Sequence, residues 1–361
     1  MIKGHGGNIY ELARVQGCDP DAITDMSSNV NPCGTLPGIK AHLGERLAAV
    51  ESLPEVDAGT ITRLFAAQQG VGSENVTPGN GSTQLLYALP RALGSRKALI
   101  VGPTYADYAS ACRQQGVTPD YLIAEAGNGF NLDLDRLASL AGQYDTVFIC
   151  NPNNPTGTLT PPSLLAELFT ASPQTIFSVD ESYLPFADNN EQPAPSLYGD
   201  LPNVVRMTSM SKVFKIPGLR IGFAIARAEL IAKLKKFAMP WSVNSLACEA
   251  VAYILQNSSR ADRFIQDTRG FLKPEREAIA ARFKDNPHIQ WFPSCTSFIL
   301  GRLTGPHTAT AVCRALADQQ ILIRNCSNFK GLADNYIRVS LKNRDANRRF
   351  SDILSDLLEV T

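Results

Sequence analysis

Lys212 stands in the stretch Ser209-Met210-Ser211-Lys212, with Arg220 eight positions downstream. A primary amine between small hydroxyl residues can condense with an aldehyde. Two hydroxyls and a guanidinium can hold a phosphate carried by the same molecule. A lone S-x-S-K is more often a solvated loop lysine, so the partners of Lys212 decide between the two readings. Thr77-Pro78-Gly79-Asn80-Gly81-Ser82-Thr83-Gln84 is a glycine-rich turn feeding an apolar helix. The N–H groups of Gly81, Ser82 and Thr83 would lie at the positive end of that helix and suit an anion. Asp180, in Asp180-Glu181-Ser182-Tyr183, offers a carboxylate; Asn154 and Tyr183 offer hydrogen bonds; Tyr105 offers an aromatic face. Those groups are what a pyridine-aldehyde cofactor such as pyridoxal phosphate requires: an acid for the ring nitrogen, partners for the phenolic oxygen and a cover for the ring. Each also has an ordinary alternative, as a turn cap (Asp180), a turn residue (Asn154) or a core aromatic (Tyr105).

Arg338 lies within the apolar run Tyr336-Ile337-Arg338-Val339-Ser340, and Arg324 in Ile321-Leu322-Ile323-Arg324-Asn325-Cys326. An arginine flanked by β-branched residues is commonly paired or ligand-bound. The segments 5–8 (His5-Gly6-Gly7-Asn8) and 27–32, which holds Asn29, are donor-rich loops. Together these groups exceed what one carboxylate needs, and so point to a substrate with a second anion, such as a phosphate.

The elements that must position these residues follow from the apolar pattern. Short runs at 98–101, 147–150, 176–179, 204–207 and 222–226 read as strands, with helical segments at 108–115, 134–141 and 162–170. That alternation predicts an α/β core with a mostly parallel sheet, whose ligands bind at the carboxyl ends of the strands. Tyr105, Asn154, Asp180 and Lys212 follow four successive strands, so an aromatic, an amide, an acid and an amine converge on one edge. Upstream, 8–16, 39–50, 60–69 and 85–93 read as helices. A helical region extends to about 283, with a hinge or domain change expected between 240 and 270. The C-terminal part reads as an α+β unit, with strands at 298–300, 321–324 and 336–340 and helices at 308–319 and 343–358.

The 361 residues allow a large and a smaller domain, and 44% apolar with 19% charged residues is ordinary globular composition. The 34 basic and 34 acidic residues balance, which speaks against nucleic acid or an acidic membrane surface as partner. No apolar run approaches the ~20 residues of a membrane span, and the N-terminus has no signal-peptide core. The eight cysteines are scattered, without a C-x-x-C pair, as expected of free thiols in the reducing cytoplasm. Four histidines without ligand spacing make a metal site improbable.

N-P-N-N-P-T-G at 151–157, D-E-S-Y at 180–183, S-M-S-K at 209–212 and P-G-L-R-I-G-F at 217–223 resemble the fold type I pyridoxal-phosphate enzymes. The similar branch is that of histidinol-phosphate aminotransferases and threonine-phosphate decarboxylases. H-G-G-N at 5–8, P-W-S-V-N at 240–244 and I-L-I-R-N-C-S-N-F at 321–329 look like the decarboxylases of cobalamin biosynthesis. The resemblance implies a large domain with a mostly parallel seven-stranded sheet and a smaller α+β domain. The corresponding division is 1–35 as a segment packing on the small domain and active site, 36–245 as the large cofactor-binding domain, and 246–361 as the small domain. It implies Lys212 as the Schiff-base lysine, Asp180 at the pyridine nitrogen, and Tyr183 with Asn154 at the phenolic oxygen. It further implies that His5, Gly6, Asn29, Asn154, Arg324 and Arg338 contact a phosphorylated amino acid, and that the protein is a homodimer with sites at the interface. One departure stands out. Relatives commonly carry R-Y-P-[DE], whose tyrosine reaches the cofactor phosphate of the other subunit, whereas this chain has Ser52-Leu53-Pro54-Glu55.

The expected reaction is decarboxylation of an O-phospho amino acid, threonine or serine. The rival is transamination of histidinol phosphate or an aromatic amino acid. A cofactor-sensing regulator on the same fold would need an appended DNA-binding module and a basic patch; this chain starts directly at the catalytic fold and is charge-neutral.

Overall fold

The five expected strands become neighbours in a seven-stranded sheet of order β2-β8-β7-β6-β5-β3-β4. The computed structural model describes residues 6–188 and 201–359; His5 lies outside them. The strands are β2 (Val76–Asn80), β3 (Ala98–Gly102), β4 (Asp120–Ile123), β5 (Thr146–Cys150), β6 (Ile176–Asp180), β7 (Val204–Thr208) and β8 (Ile221–Ala226). β4, β3, β5, β6 and β7 are parallel, and β8 runs antiparallel to both its neighbours. All residues of β5 and β8 are buried, as the strands of a sheet covered on both faces should be.

The alternation of side chains assigns each strand's residues to two cores. Phe148 and Cys150 of β5 point into one core with Leu85, Leu86 and Leu89 of the helix Gly81–Leu93. Val147 and Ile149 point into the other, against Leu137 of the helix Leu134–Ala141 and Leu165 and Phe169 of Pro162–Ala171. Helices therefore cover both faces, and the carboxyl edge between them is left for chemistry.

A second sheet, of order β12-β13-β10-β9, is built from β9 (Ile289–Trp291), β10 (Phe298–Leu303), β12 (Arg324–Asn325) and β13 (Tyr336–Ser340). It packs with the helices Ser258–Arg282, Ala309–Asp318 and Arg344–Glu359. Near the N-terminus, β1 (Thr24–Asp25) pairs in parallel with β11 (Ile321–Leu322), so the first described residues are tied to the C-terminal part of the chain.

Several expected boundaries move. The run 321–324 is not one strand: β11 pairs with β1, and after Ile323 the chain crosses to the other sheet, where Arg324 pairs with Arg338. Residues 77–80, expected as part of a turn, form most of β2. Pro78 is admitted because β2 is the edge strand, where a missing N–H costs no ladder bond. The helix at 39–50 is α-helical over Ile39–Glu45 and continues as a 3-10 helix over Leu47–Glu51. The region to 283 is two helices, Ser245–Gln256 and Ser258–Arg282, divided at Asn257. Edge strand β4 and the helix Ala228–Lys235 were not expected, nor was the short strand β9.

Candidate active site

Asp180 is the last residue of β6 and Lys212 follows β7 in the short helix Met210–Val213. Both line a cavity of about 150 Å³ at the carboxyl edge of the sheet. Asp180 accepts hydrogen bonds from the Tyr108 hydroxyl (2.8 Å, Oδ2) and the Ser182 N–H (3.0 Å, Oδ1). Burial and the positive charges of Arg220 and Arg338 push the Lys212 ammonium down to about 8, against the pull of Asp180. A lysine so placed reaches its neutral, nucleophilic form at a lower pH than a free lysine does.

One end of the cavity is an anion seat. The helix Gly81–Leu93 has no side-chain N-cap, and its first-turn amides have no carbonyl partners within the helix; Ser82 and Thr83 line the cavity. Gly222 brings this helix start against the sheet: a Cβ there would lie 2.4 Å from Ser82 N and 2.8 Å from Thr208 O. Gly81, at φ +74°, accommodates Arg220, whose Nη2 would lie 2.5 Å from a Cβ at position 81. Its N–H also donates to Arg220 O at 2.9 Å. Ser209 is buried at the N-cap of Met210–Val213. Ser211 is buried with its hydroxyl donating to Ile221 O at 3.1 Å; it braces β8 rather than lining the cavity.

The opposite wall comes from distant parts of the chain. Arg338 in β13 is buried and donates to Asn154 Oδ1 and to Ser27 O. Its Nε has no partner among the described residues. Tyr183 is buried edge-on to Phe298, with centroids 5.1 Å apart, and its oxygen accepts from Asn29 Nδ2 at 3.3 Å. Burial pushes the Tyr183 phenol up to about 12, which Arg338 and Asn29 oppose. Arg324 donates to Asn328 Oδ1 at 2.7 Å and lies over the Phe329 ring at 5.3 Å. Tyr105 lines the same cavity, edge-on to Tyr108 at 5.8 Å.

Of the residues singled out from the sequence, Gly6, Asn29, Ser82, Thr83, Tyr105, Asn154, Asp180, Tyr183, Lys212, Arg324 and Arg338 line this one cavity. Gly81 and Arg220 stand just behind its anion seat. Sequence reasoning passed over Tyr108, Cys150, Ser182, Asn328 and Phe329, which also line it. Tyr108 could have been found as the residue three places after Tyr105 at a helix start. Asn328 could have been found as the amide four places after Arg324.

Such an arrangement fits pyridoxal phosphate at three points. An amine of lowered proton affinity awaits an aldehyde, an acid braced by two donors awaits the ring nitrogen, and a helix start with a guanidinium fills the seat of a phosphate. Fold and site together define a pyridoxal-phosphate enzyme of fold type I. The chain belongs to the aminotransferase class I and II family, whose model matches residues 53–354. It is 31% identical to threonine-phosphate decarboxylase of Salmonella typhimurium over 99% of this chain and 97% of that protein. It is 27% identical to histidinol-phosphate aminotransferase of Methanocella arvoryzae over 98% of this chain and 94% of that one. The crystal structure of L-threonine-O-3-phosphate decarboxylase from Porphyromonas gingivalis superposes with a TM-score of 0.84 at 29% identity, covering 93% of this chain and 100% of that chain. No helix among the described residues is long and apolar enough to cross a membrane.

Proposed function

We propose that the chain decarboxylates an O-phospho-L-amino acid: O-phospho-L-threonine to (R)-1-aminopropan-2-yl phosphate, or O-phospho-L-serine to ethanolamine phosphate, for the nucleotide loop of cobalamin. The observation that carries this reading is Arg338: a buried guanidinium bonded to the neutral oxygens of Asn154 and Ser27, with Nε left over. A buried cation calls for an anion, and Arg324 brings a second guanidinium to the same cavity. Two cations facing one small ligand fit a substrate with both a carboxylate and a phosphate. The named relatives from Salmonella typhimurium and Porphyromonas gingivalis support the same choice.

Pyridoxal phosphate, when bound, supplies a protonated pyridine ring that takes up the electron pair released at Cα. The protein's part is placement. Asp180 would hold the ring nitrogen protonated, Asn154 and Tyr183 would address the phenolic oxygen, and Tyr105 would cover the ring. The amides of Ser82 and Thr83, with Ser209 and Arg220, would form the phosphate end; the Gly81 N–H and the Ser211 hydroxyl, expected there from the sequence, are instead bonded to Arg220 O and Ile221 O. His5, Gly6, Asn29, Asn154, Arg324 and Arg338 take the substrate. The Cα bond held perpendicular to the ring is the one that breaks. A guanidinium that held the carboxylate there would select that bond for loss of CO₂, and the ammonium of Lys212 would return a proton to Cα. Were Cα–H held there instead, neutral Lys212 would remove that proton and transamination would follow, as the histidinol-phosphate aminotransferase relative shows to be within the family's range.

An apolar surface supports a homodimer. Leu47, Val50, Leu53, Val56, Met239 and Trp241 are all exposed, and the two segments meet where Trp241 N–H donates to Val56 O at 2.9 Å. A clustered apolar patch marks an interaction site. All eight cysteines are free, in keeping with a reducing cytoplasm.

The test uses cofactor-loaded protein with O-phospho-L-threonine and, separately, O-phospho-L-serine, in the absence of a keto acid. Catalytic CO₂ with a phosphorylated amine is expected. The faster substrate settles the methyl group, which is worth only ~1–3 kcal/mol in a pocket. No CO₂, but amino transfer from histidinol phosphate to 2-oxoglutarate, would establish the transaminase instead.

A further inference from the structure

Asp25 does not line the cavity, yet its carboxylate gathers four donors from two residues that do. Oδ1 accepts from Ser27 N–H (2.9 Å), Ser27 Oγ (2.6 Å) and Ser28 N–H (3.2 Å), and Oδ2 accepts from Ser28 Oγ. Lys342 lies beside it, donating to Ser28 O at 3.5 Å, and its positive charge favours the Asp25 carboxylate. Burial works against that charged form, but the serine donors outweigh it and hold the Asp25 carboxyl below its ordinary range.

The turn held in this way touches three parts of the site. Ser27 O receives the Arg338 guanidinium. Ser27 Oγ receives Gly7 N–H at 2.7 Å, and a Cβ on Gly6 would lie 2.4 Å from Ser27 O, so the N-terminal loop is seated directly on the turn. Asn29 bridges Ser340 Oγ (2.6 Å) and Tyr183 Oη (3.3 Å), while Met26 O accepts from Ser340 N at 2.8 Å. The turn is thus laced onto β13 along the length that carries Arg338.

We propose that Asp25 is a positioning residue: by fixing the 25–29 turn it aims Arg338, seats Gly6 and Gly7, and places Asn29 against Tyr183, and so sets the affinity for the anionic substrate without touching it. The substrate part rests on the decarboxylase reading; the ordering of the turn does not. A carboxylate can accept four hydrogen bonds, whereas an amide in its place loses one oxygen's acceptors and adds two donors. Asp25→Asn keeps the size and one acceptor oxygen, and removes the charge that faces Lys342 and the oxygen that receives Ser28 Oγ.

The experiment compares cofactor-loaded wild type, Asp25→Asn and Ser27→Ala by amide hydrogen exchange, thermal melting, cofactor absorbance and kinetics with O-phospho-L-threonine. In Asp25→Asn, exchange over 6–8 and 26–29 rises by at least about tenfold, as for a loop whose anchors are lost. The KM rises by about tenfold while kcat stays within about threefold, the pattern of lost ground-state and transition-state binding alike. The absorbance is unchanged. Ser27→Ala frees Gly7 and raises KM less. Unchanged exchange at 6–8 and 26–29 overturns the proposal, as does a variant whose melting temperature falls while KM does not move. Wild type with no affinity for either O-phospho-L-threonine or O-phospho-L-serine refutes the substrate reading, and the exchange result still decides the role of Asp25.

Discussion

Tyr108 donates its phenolic proton to Asp180 Oδ2 across 2.8 Å, and both side chains are buried. Burial first, and then the charge of Asp180, push the Tyr108 phenol well above its ordinary value, so it remains a donor at every pH of interest. With Ser182 N–H on Oδ1, each carboxylate oxygen has one fixed donor and a lone pair left for the cavity. The acid that must meet a ring nitrogen is thereby locked in orientation before any ligand arrives.

Tyr108→Phe removes that donor and keeps the ring, which is packed near Phe148 at 5.8 Å. A hydrogen bond to a charged group is worth roughly 1.5–3 kcal/mol. The variant should fold, and its dissociation constant for pyridoxal phosphate should rise by about tenfold, equivalent to about 1.4 kcal/mol. Retention of the cofactor on dialysis measures this. Retention equal to wild type would show that Ser182 alone suffices to hold Asp180.

Lys212 gives a pH dependence whose sign can be worked out. Its folded value, about 8, lies below the ordinary 10.5. Between those values the unfolded chain binds more protons than the folded one, so stability rises with pH across that window. Below about 8 the ammonium is charged in both states and the penalty is fully present. Lys342 is likewise lowered to about 8, by burial against the pull of Asp25, and contributes in the same direction. Cofactor-free wild type should therefore gain melting temperature from pH 8 to 10 relative to Lys212→Met, which keeps only the Lys342 part. Uptake of pyridoxal phosphate by the cofactor-free protein should accelerate through the same value, because only the neutral amine attacks an aldehyde. Parallel melting curves for the two proteins would refute the lowered value.

Gly222→Ala tests the anion seat without touching a charge. The new Cβ would meet Ser82 N at 2.4 Å and Thr208 O at 2.8 Å, both backbone atoms, so the helix start must withdraw from the sheet. The expected result is a folded protein that binds pyridoxal phosphate at least about tenfold more weakly, since a backbone donor displaced from an anion loses a charge-assisted bond. Binding of pyridoxal, which lacks the phosphate, should change far less. Equal losses for the two ligands would point to general disruption of β8 instead.

What the sequence disclosed, and what it hid, divides along the sheet. Lys212, Asp180, Asn154 and Tyr105 each follow an apolar strand, and the carboxyl edge of a parallel sheet is a rule of topology. Arg324 and Arg338 were visible as charges inside apolar runs. The Asp25 turn was not legible as a support for the site, because its role depends on β1 pairing with β11 across nearly the whole chain. No local period encodes that pairing. The crossing at Ile323 was hidden for a related reason: residues 321–324 read as one strand in sequence, yet Ile321–Leu322 and Arg324–Asn325 serve two sheets in space. Pro78 and Gly79 misled in the other direction, as breakers admitted by an edge strand.

Leu53 is 77% exposed, beside exposed Val50 and Val56, at the position where the family resemblance of the sequence implies a tyrosine that would reach a neighbouring subunit's cofactor. Exposure of a leucine to that degree forgoes about 1.5–3 kcal/mol of burial, which a dimer would recover. Leu53→Asp should therefore shift the protein toward monomer in sedimentation experiments and weaken cofactor retention together with it. Leu53→Tyr should leave the dimer intact and tighten cofactor binding, by about 0.5–1.5 kcal/mol for a new hydrogen bond. A dimer that is unaffected by Leu53→Asp would place the interface elsewhere. A dimer in which Leu53→Tyr has no effect on retention would mean that this chain already completes its phosphate seat from Arg220, Ser82 and Thr83, without help from a second subunit.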